Sequence, residues 1–207
     1  MNEPLHFSTP DDSEELARAE VYGLLAQLFY AAPNKNLYEQ LQVAPTVAPS
    51  PGAFLESSWS EFVAATRRLS SEQVADEYDA LFMGIGKPEI FLYGSHHLAG
   101  ALNEKPLVAL RDSLRQLGLE RAETMAETED HIACLCEVMR YLIAGDDVGV
   151  SNLAVQQRFF NGHMRAWASG LFEQIAAHPG ADFYRALSLF ARDFFAVESQ
   201  AFDLLDT

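Results

Sequence analysis

The chain has 207 residues, of which 49% are hydrophobic and 21% are charged, so it is globular rather than disordered and can bury a sizeable core. Its formal net charge of −16 argues against nucleic acid and anionic membrane surfaces as partners, and it suits either solubility or a basic partner such as an arginine-bearing peptide. No apolar run approaches the roughly 20 residues that cross a bilayer, and the polar, acidic N-terminus lacks a secretory signal, so we expect a cytoplasmic protein.

Apolar residues recur at helical spacing along the whole chain, and no segment of useful length alternates with period two. The first predicted helix starts at a cap in residues 11–13 and ends before Pro33, and residues 1–12 are expected to form a flexible tail. The other predicted helices span residues 37–43, 55–69, 70–84, 106–117, 128–145, 151–175 and 183–202. The sequence therefore predicts an all-α protein of six to eight main helices, folded as a single globular domain over residues 1–207.

Two of these helices carry recognisable signals at their N-termini. Ser70 and Gln73 have the spacing of a capping box. Thr128 is expected to cap the sixth predicted helix, with Glu129 and Asp130 in its first turn, where the helix dipole favours acids.

The apolar stripes also predict which side chains are buried. Cys134 and Cys136 lie two positions apart on a predicted helix, so they point to different faces and are expected to be reduced thiols rather than a disulfide or a shared metal site. The large side chains expected in the core are Trp59, Phe62, Leu135, Met139, Trp167 and Phe190.

An apolar, aromatic stretch runs through a glycine-rich loop at residues 85–97, although loops are usually polar and solvated. Ile90 and Phe91 are expected to tuck into the core. Tyr93 is expected to face a wet binding surface, because a phenol combines an apolar body with a polar tip.

Motifs for catalysis or metal binding are few. The chain has neither a phosphate-binding glycine loop with its lysine nor a G-x-S-x-G elbow, and no cofactor is expected. His131 and Cys134 lack a recognisable second pair of metal ligands, and His163 with Trp167 is interpreted as packing. Asp130 and His131, both expected to be half exposed, are equally consistent with a helix cap and with a site whose imidazole titrates near neutral pH.

Five stretches in the second part of the chain occur in the order of the motifs of one protein family. They are Glu77-Tyr78-x-x-Leu81-Phe82-x-Gly84, Tyr93-Gly94-Ser95, Glu127-Thr128-Glu129-Asp130-His131, Phe160-x-x-His163-x-x-x-Trp167, and His178-Pro179 with Phe183-Tyr184-Arg185-Ala186-Leu187. They resemble the E-Y-x-x-L-F-x-G, aromatic-x-Ser, E-P-x-D-H, F-x-x-H-x-x-x-W and last-helix motifs of the TorD/DmsD family of cytoplasmic chaperones, which mature molybdenum redox enzymes. The resemblance covers the chain from about residue 77 to its end.

The resemblance implies an all-helical chaperone and not an enzyme. Such a chaperone binds the twin-arginine signal peptide and the apo form of a molybdopterin-containing oxidoreductase, assists cofactor insertion and delays export. Acids for the guanidinium groups and an apolar trough for the stretch that follows would suit this peptide. The resemblance further implies a monomer or domain-swapped dimer without stable membrane insertion. By the family motifs, the peptide-binding residues are Leu81, Phe82, Tyr93, Ser95, Asp130 and His131.

The chain departs from the family pattern at a few positions. Thr128 and Leu92 stand where the family has proline, and His96 and His97 follow Ser95 where an aromatic residue is common, so peptide preference is expected to differ. Two alternatives stay open at this point. One is an assembly chaperone for a non-exported molybdoenzyme, as in the nitrate-reductase branch, and the other is a helical enzyme or metal-binding protein built on the histidines.

Overall fold

The computed structural model describes residues 10–46, 55–84, 87–147 and 149–205. Within these ranges the chain forms ten α-helices, one π-helical turn and a single isolated β-bridge, with no β-strand. The α-helices are α1 (Pro10–Tyr30), α2 (Lys35–Gln42), α3 (Glu56–Arg68), α4 (Ser71–Tyr78), α5 (Gly94–Ala99), α6 (Lys105–Gln116), α7 (Ile132–Ala144), α8 (Leu153–His163), α9 (Ala168–Ala177) and α10 (Phe183–Leu204). The π-helical turn (Asp79–Met83) continues α4 directly. The predicted all-α class is confirmed, and the predicted number of helices was too low.

The ends of the chain bear on two further predictions. Residues 1–9 of the predicted tail lie outside the described residues, and α1 already begins at Pro10. The organisation of residues 1–207 as a single domain stays a prediction. No helix in the described ranges is long and apolar enough to cross a membrane.

The start of α4 confirms the predicted capping box. The Gln73 backbone N–H donates to Ser70 Oγ at 3.2 Å, and the Ser70 N–H donates to Gln73 Oε1 at 2.8 Å. Two backbone donors that have no partner within the helix are satisfied in this way.

The predicted start of the sixth helix is wrong. Helix α7 begins at Ile132, and its cap is His131, whose Nδ1 accepts a hydrogen bond from the Ala133 N–H at 3.2 Å. The Thr128 hydroxyl instead donates to a carboxylate oxygen of Asp130 at 2.7 Å. Residues 128–130 therefore form the approach to α7 and not its first turn.

The predicted helix over residues 151–175 is broken into α8 and α9. The Trp167 N–H bonds to the Met164 carbonyl at 3.2 Å, so the helical i→i−4 bond to the His163 carbonyl is missing. The Trp167 indole N–H takes that carbonyl at 2.7 Å. The break lets both Met164 and Trp167 be buried, and the indole replaces the lost backbone bond.

The core lies between two sets of packed helices. In one set α1 packs on α7, and in the other α10 packs on both α9 and α3. Five of the six large side chains predicted for the core are buried. The exception is Trp59, which is half-buried because its indole N–H reaches the Pro45 carbonyl at the surface, at 2.8 Å. Ile90 is buried as predicted, whereas Phe91 is half-buried and stacks on the His96 ring at 4.2 Å.

Glu77 holds the N-terminus of α10 from a different helix. Its carboxylate accepts the backbone N–H groups of Asp182, Phe183 and Tyr184 at 2.8, 3.0 and 2.8 Å. Helix α10 has no side-chain cap of its own at Asp182, so Glu77 supplies the acceptor that a local cap would provide. Glu77, the first residue of the E-Y-x-x-L-F-x-G-like segment, therefore has a structural role.

Replacement of Glu77 by alanine is expected to lower the free energy of unfolding by about 1–3 kcal/mol, because three N–H groups at a helix start lose their acceptor. Glu77→Gln keeps one acceptor oxygen and is expected to cost less. Urea denaturation of the two variants measures the difference. Equal stability of wild type and Glu77→Ala would show that water replaces the carboxylate at no cost.

Candidate functional site

Residues 90–97, which we call the aromatic loop, and residues 128–131, which lead into α7, lie side by side. The Gly94 N–H donates to the Asp130 carbonyl at 2.9 Å, and the Ile132 N–H donates to the Leu92 carbonyl at 2.8 Å. Between these bonds Tyr93 and His131 form the isolated antiparallel bridge. Two motifs separated by more than thirty residues in the chain therefore meet at one place.

Asp130 is buried and fastens the loop. One carboxylate oxygen accepts the backbone N–H of Ser95, in the first turn of α5, at 2.8 Å, and the other accepts the Thr128 hydroxyl at 2.7 Å. Asp130 is only 3% exposed, so the expectation that it is half exposed is wrong. Ser95 is fully buried, and its hydroxyl has no hydrogen-bond partner among the described residues.

His131 is also buried, against the expectation, and its ring meets the Tyr93 ring edge-on with centroids 5.0 Å apart. Burial lowers the pKa of His131 to about 4, although the nearby carboxylates of Glu127 and Asp130 act in the opposite direction. The ring is therefore neutral near pH 7, and because Nδ1 accepts the Ala133 N–H, the proton sits on Nε2. The titration of this ring, expected near neutral pH from the sequence, therefore moves to about pH 4.

Tyr93 and Glu127 are the half-buried members of this cluster. The Tyr93 hydroxyl donates a hydrogen bond to the Glu127 carboxylate. Burial, and then this bond, raises the pKa of the Tyr93 phenol well above its ordinary value. The sequence singled out Tyr93, but it gave no sign that Glu127, rather than Asp130, is the acid within reach of solvent.

Leu81 and Phe82 lie inside the protein. They are 1% and 8% exposed, and the Phe82 ring packs against Tyr78 and Tyr184 with centroids 5.2 and 5.0 Å apart. The Leu81 carbonyl accepts the N–H of Ile90, where the aromatic loop begins, at 3.0 Å. Of the six residues that the family motifs assign to the peptide, the structure brings Tyr93, Ser95, Asp130 and His131 together and places the other two beneath the loop.

An open groove of about 370 Å³ lies beside this cluster, between the end of α6, residues 119–129 and one face of α7. We call it the α6–α7 groove. Its lining is mainly apolar and includes Leu119, Met125, Val138 and Tyr141, together with Cys134. The groove could not be read from the sequence, because most of its lining residues lie either in the segment between α6 and α7 or on the side of α7 that faces away from its buried stripe.

The histidines and cysteines do not assemble into a metal centre within the described ranges, where no group of three or more His, Cys, Asp or Glu side chains could hold an ion. His163 Nε2 lies 2.9 Å from Ser113 Oγ, and His97 Nε2 lies 2.7 Å from the Phe91 carbonyl. Burial raises the pKa of the free Cys134 thiol to about 12, so the thiol is protonated at neutral pH.

Asp130→Ala is expected to lower the free energy of unfolding by about 1–3 kcal/mol, because the Ser95 N–H and the Thr128 hydroxyl lose their buried acceptor. Asp130→Asn is expected to stay near wild type. Its amide oxygen can accept the Ser95 N–H while its NH2 donates to the Thr128 hydroxyl. Chemical denaturation compares the two. A fully stable alanine variant would mean that the carboxylate does not hold the loop.

Comparison with known sequences adds two kinds of match. Residues 50–173, well over half of the chain, match the model of a protein family described as "Nitrate reductase delta subunit". The matched range contains the aromatic loop, the approach to α7 and the whole α6–α7 groove.

Individual relatives match most of the chain. It is 26% identical over 184 residues to a probable Tat proofreading chaperone DmsD of Haemophilus influenzae, covering 84% of this chain and 86% of that protein. It is 25% identical over 204 residues to a chaperone protein TorD of Vibrio cholerae, covering 91% of this chain and 93% of that protein. These alignments extend beyond residues 50–173, so the likeness is not confined to one segment.

Proposed function

The chain belongs to the TorD/DmsD family, and from this we propose that it is a redox-enzyme maturation chaperone acting in the cytoplasm on the precursor of a molybdopterin-containing oxidoreductase. In this proposal it binds the twin-arginine signal peptide and the body of the apoenzyme. It assists cofactor insertion and delays export until the enzyme is loaded.

The observation that carries the proposal is the pair of near full-length relatives, one named as a Tat proofreading chaperone and the other as a chaperone protein. The geometry is compatible with a binding task. An acidic segment and an apolar groove lie side by side, which are the two features that a peptide with arginines and an apolar stretch requires.

In this proposal, some residues of the cluster around the aromatic loop contact the peptide and others hold the loop in place. Tyr93 and Glu127 are half-buried and meet the arginine end of the peptide. Asp130, His131 and Ser95 are buried and hold the loop in place for that contact. Leu81 and Phe82, in the π-helical turn, are buried beneath the loop. They contribute to peptide binding by holding the loop in place and not by contact with the peptide.

The nitrate reductase description of the matching family favours a second candidate, an assembly chaperone for a non-exported molybdoenzyme. Both candidates bind an apoenzyme, and they differ in what they recognise at its N-terminus. The first requires affinity for a leader with two adjacent arginines, and the second does not.

The proposal is tested by purifying the tagged chain from its native cells and identifying the protein that accompanies it. A molybdopterin oxidoreductase with a twin-arginine leader supports the first candidate, and one without such a leader supports the second. An accompanying protein of another class, in repeated preparations, would contradict both. Titration with the synthetic leader of the identified partner then measures the affinity directly.

Binding of an arginine-bearing leader is expected to weaken as salt rises, because the chain carries a net charge of −16. Between 0.1 and 1 M ionic strength the Debye length falls from about 10 Å to about 3 Å, which screens exposed charges. Fluorescence anisotropy at several salt concentrations measures the trend. An affinity independent of salt would show that the apolar stretch dominates and that the acidic surface serves solubility alone.

A further inference from the structure

We propose that the α6–α7 groove holds the apolar stretch of the leader peptide, and that the acids along its edge hold the arginines beside that stretch. This inference rests on the proposed function and goes further by naming the surface. It also separates that surface from Leu81 and Phe82, which are buried in the folded chain.

The groove can seat a few apolar side chains of a peptide. Its volume of about 370 Å³ lies near the low end of the roughly 300–1,000 Å³ of small-molecule pockets, so the rest of an apolar stretch would lie along its open side. The side of α7 that forms one wall presents Val138 and Tyr141, one helical turn apart, together with Ala144. An apolar strip on a helix beside a second helix end is the geometry of helix-in-groove recognition.

The charge along the groove selects the occupant. Residues 118–130 and the rest of the groove lining contain six acids (Glu120, Glu123, Glu127, Glu129, Asp130 and Glu137) against Arg121 and Arg140, and Arg111 pairs with Glu129, so the net charge is 3 − 6 = −3. Glu137 is paired with Arg140 and Asp130 is buried, so Glu120, Glu123 and Glu127 are the acids that remain for a basic peptide. Arg121 already donates to the backbone carbonyls of Met125 and Glu127. A second copy of this chain would bring a further −16 to the same surface, whereas a peptide with two arginines complements it.

The groove and the aromatic-loop cluster are continuous. Glu129 lines the groove and is followed directly in the chain by Asp130 and His131 of the cluster, and Cys134, one helical turn after His131, also lines the groove. A peptide lying in the groove therefore brings its arginine end close to the half-buried Glu127 and Tyr93 without any buried side chain being exposed.

The test uses a fluorescent synthetic peptide with two adjacent arginines followed by an apolar stretch of roughly 10 residues. Tyr141→Asp places a charge in the groove and is expected to weaken binding at least about tenfold. Tyr30→Asp is the matched control, since Tyr141 and Tyr30 are 42% and 41% exposed and Tyr30, at the end of α1, does not line the groove. Both side chains are at the surface, and far-UV circular dichroism checks that each variant is folded.

A second pair of variants tests the charge. Glu120→Lys, in the groove, is expected to weaken binding several-fold, while Glu39→Lys, exposed on α2, leaves it unchanged. Equal effects within each pair would overturn the inference. Photo-crosslinking of the wild-type chain by a benzophenone in the apolar stretch is expected to label residues 119–144.

The other outcomes are distinct. Cross-links confined to residues 78–93, with normal binding by Tyr141→Asp, would overturn the groove but keep the proposed function. No binding of the peptide to the wild-type chain would overturn both. If light scattering shows a dimer that Tyr141→Asp dissociates while peptide affinity is unchanged, the groove is a contact between copies and the inference is wrong.

Discussion

Replacement of Trp167 by alanine is expected to lower the free energy of unfolding by about 3–5 kcal/mol. The indole is 4% exposed, stacks on the His97 ring at 5.3 Å, and closes the break between α8 and α9 through its bond to the His163 carbonyl. It also lies directly under α5, because a Cβ added at Gly94 would be 3.1 Å from its ring. Urea denaturation gives the free energy.

Trp59→Ala provides the control for this effect. Trp59 also donates its indole N–H to a backbone carbonyl, at 2.8 Å, but it is only half-buried, so its loss is expected to cost less. A Trp167→Ala variant that is as stable as wild type would contradict the packing of the break. A Trp59→Ala variant that is the less stable of the two would contradict the ranking by burial.

The fold class could be predicted from the sequence because helical spacing is a local property. The positions that were mispredicted are those where a distant partner decides the local structure. His163 and Trp167 keep the four-residue spacing of one helix, and yet the chain breaks between them so that the indole can pack under α5. The six residues of α5 carry no stripe of their own, and the carboxylate that fastens their start lies on Asp130, 35 positions away.

The family motifs assign Tyr93, Ser95, Asp130 and His131 to peptide binding. The structure brings these four residues together, and their role in binding stays a prediction. The burial of Asp130 and His131 could not be read from the sequence, because an acid beside a histidine at a helix start has the same sequence pattern whether it faces water or another loop. Glu127 became visible only through its bond to Tyr93.

The second large effect is expected at the buried ion pair between α1 and α10. Arg18 donates to both oxygens of Glu198, from Nε and Nη2, each at 2.8 Å, and the Tyr22 hydroxyl donates to Glu198 at 3.1 Å. Glu198 is 2% exposed. Arg18→Met is expected to lower the free energy of unfolding by about 3–5 kcal/mol, because it leaves a buried carboxylate without its counter-charge.

The exposed pair of Arg165 with Asp203 is the matched control. It is also bidentate, at 2.6 and 2.7 Å, but both side chains are exposed to water, so Arg165→Met is expected to cost much less stability than Arg18→Met. Similar losses for the two arginines would show that burial does not determine the cost. The comparison is made by urea denaturation at pH 7.

The double variant Arg18→Met with Glu198→Leu separates two contributions to the stability lost in Arg18→Met. One is the lost attraction between Arg18 and Glu198, and the other is the cost of leaving the Glu198 carboxylate buried and unpaired. If the loss in Arg18→Met comes from an unpaired buried charge, removing the carboxylate as well should restore most of the stability, because apolar side chains of similar volume replace buried pairs at little cost. The Tyr22 hydroxyl then loses its acceptor, so recovery is expected to fall short by about 1–3 kcal/mol. A double variant less stable than Arg18→Met alone would mean that the pair itself, and not the stranded charge, holds α1 to α10.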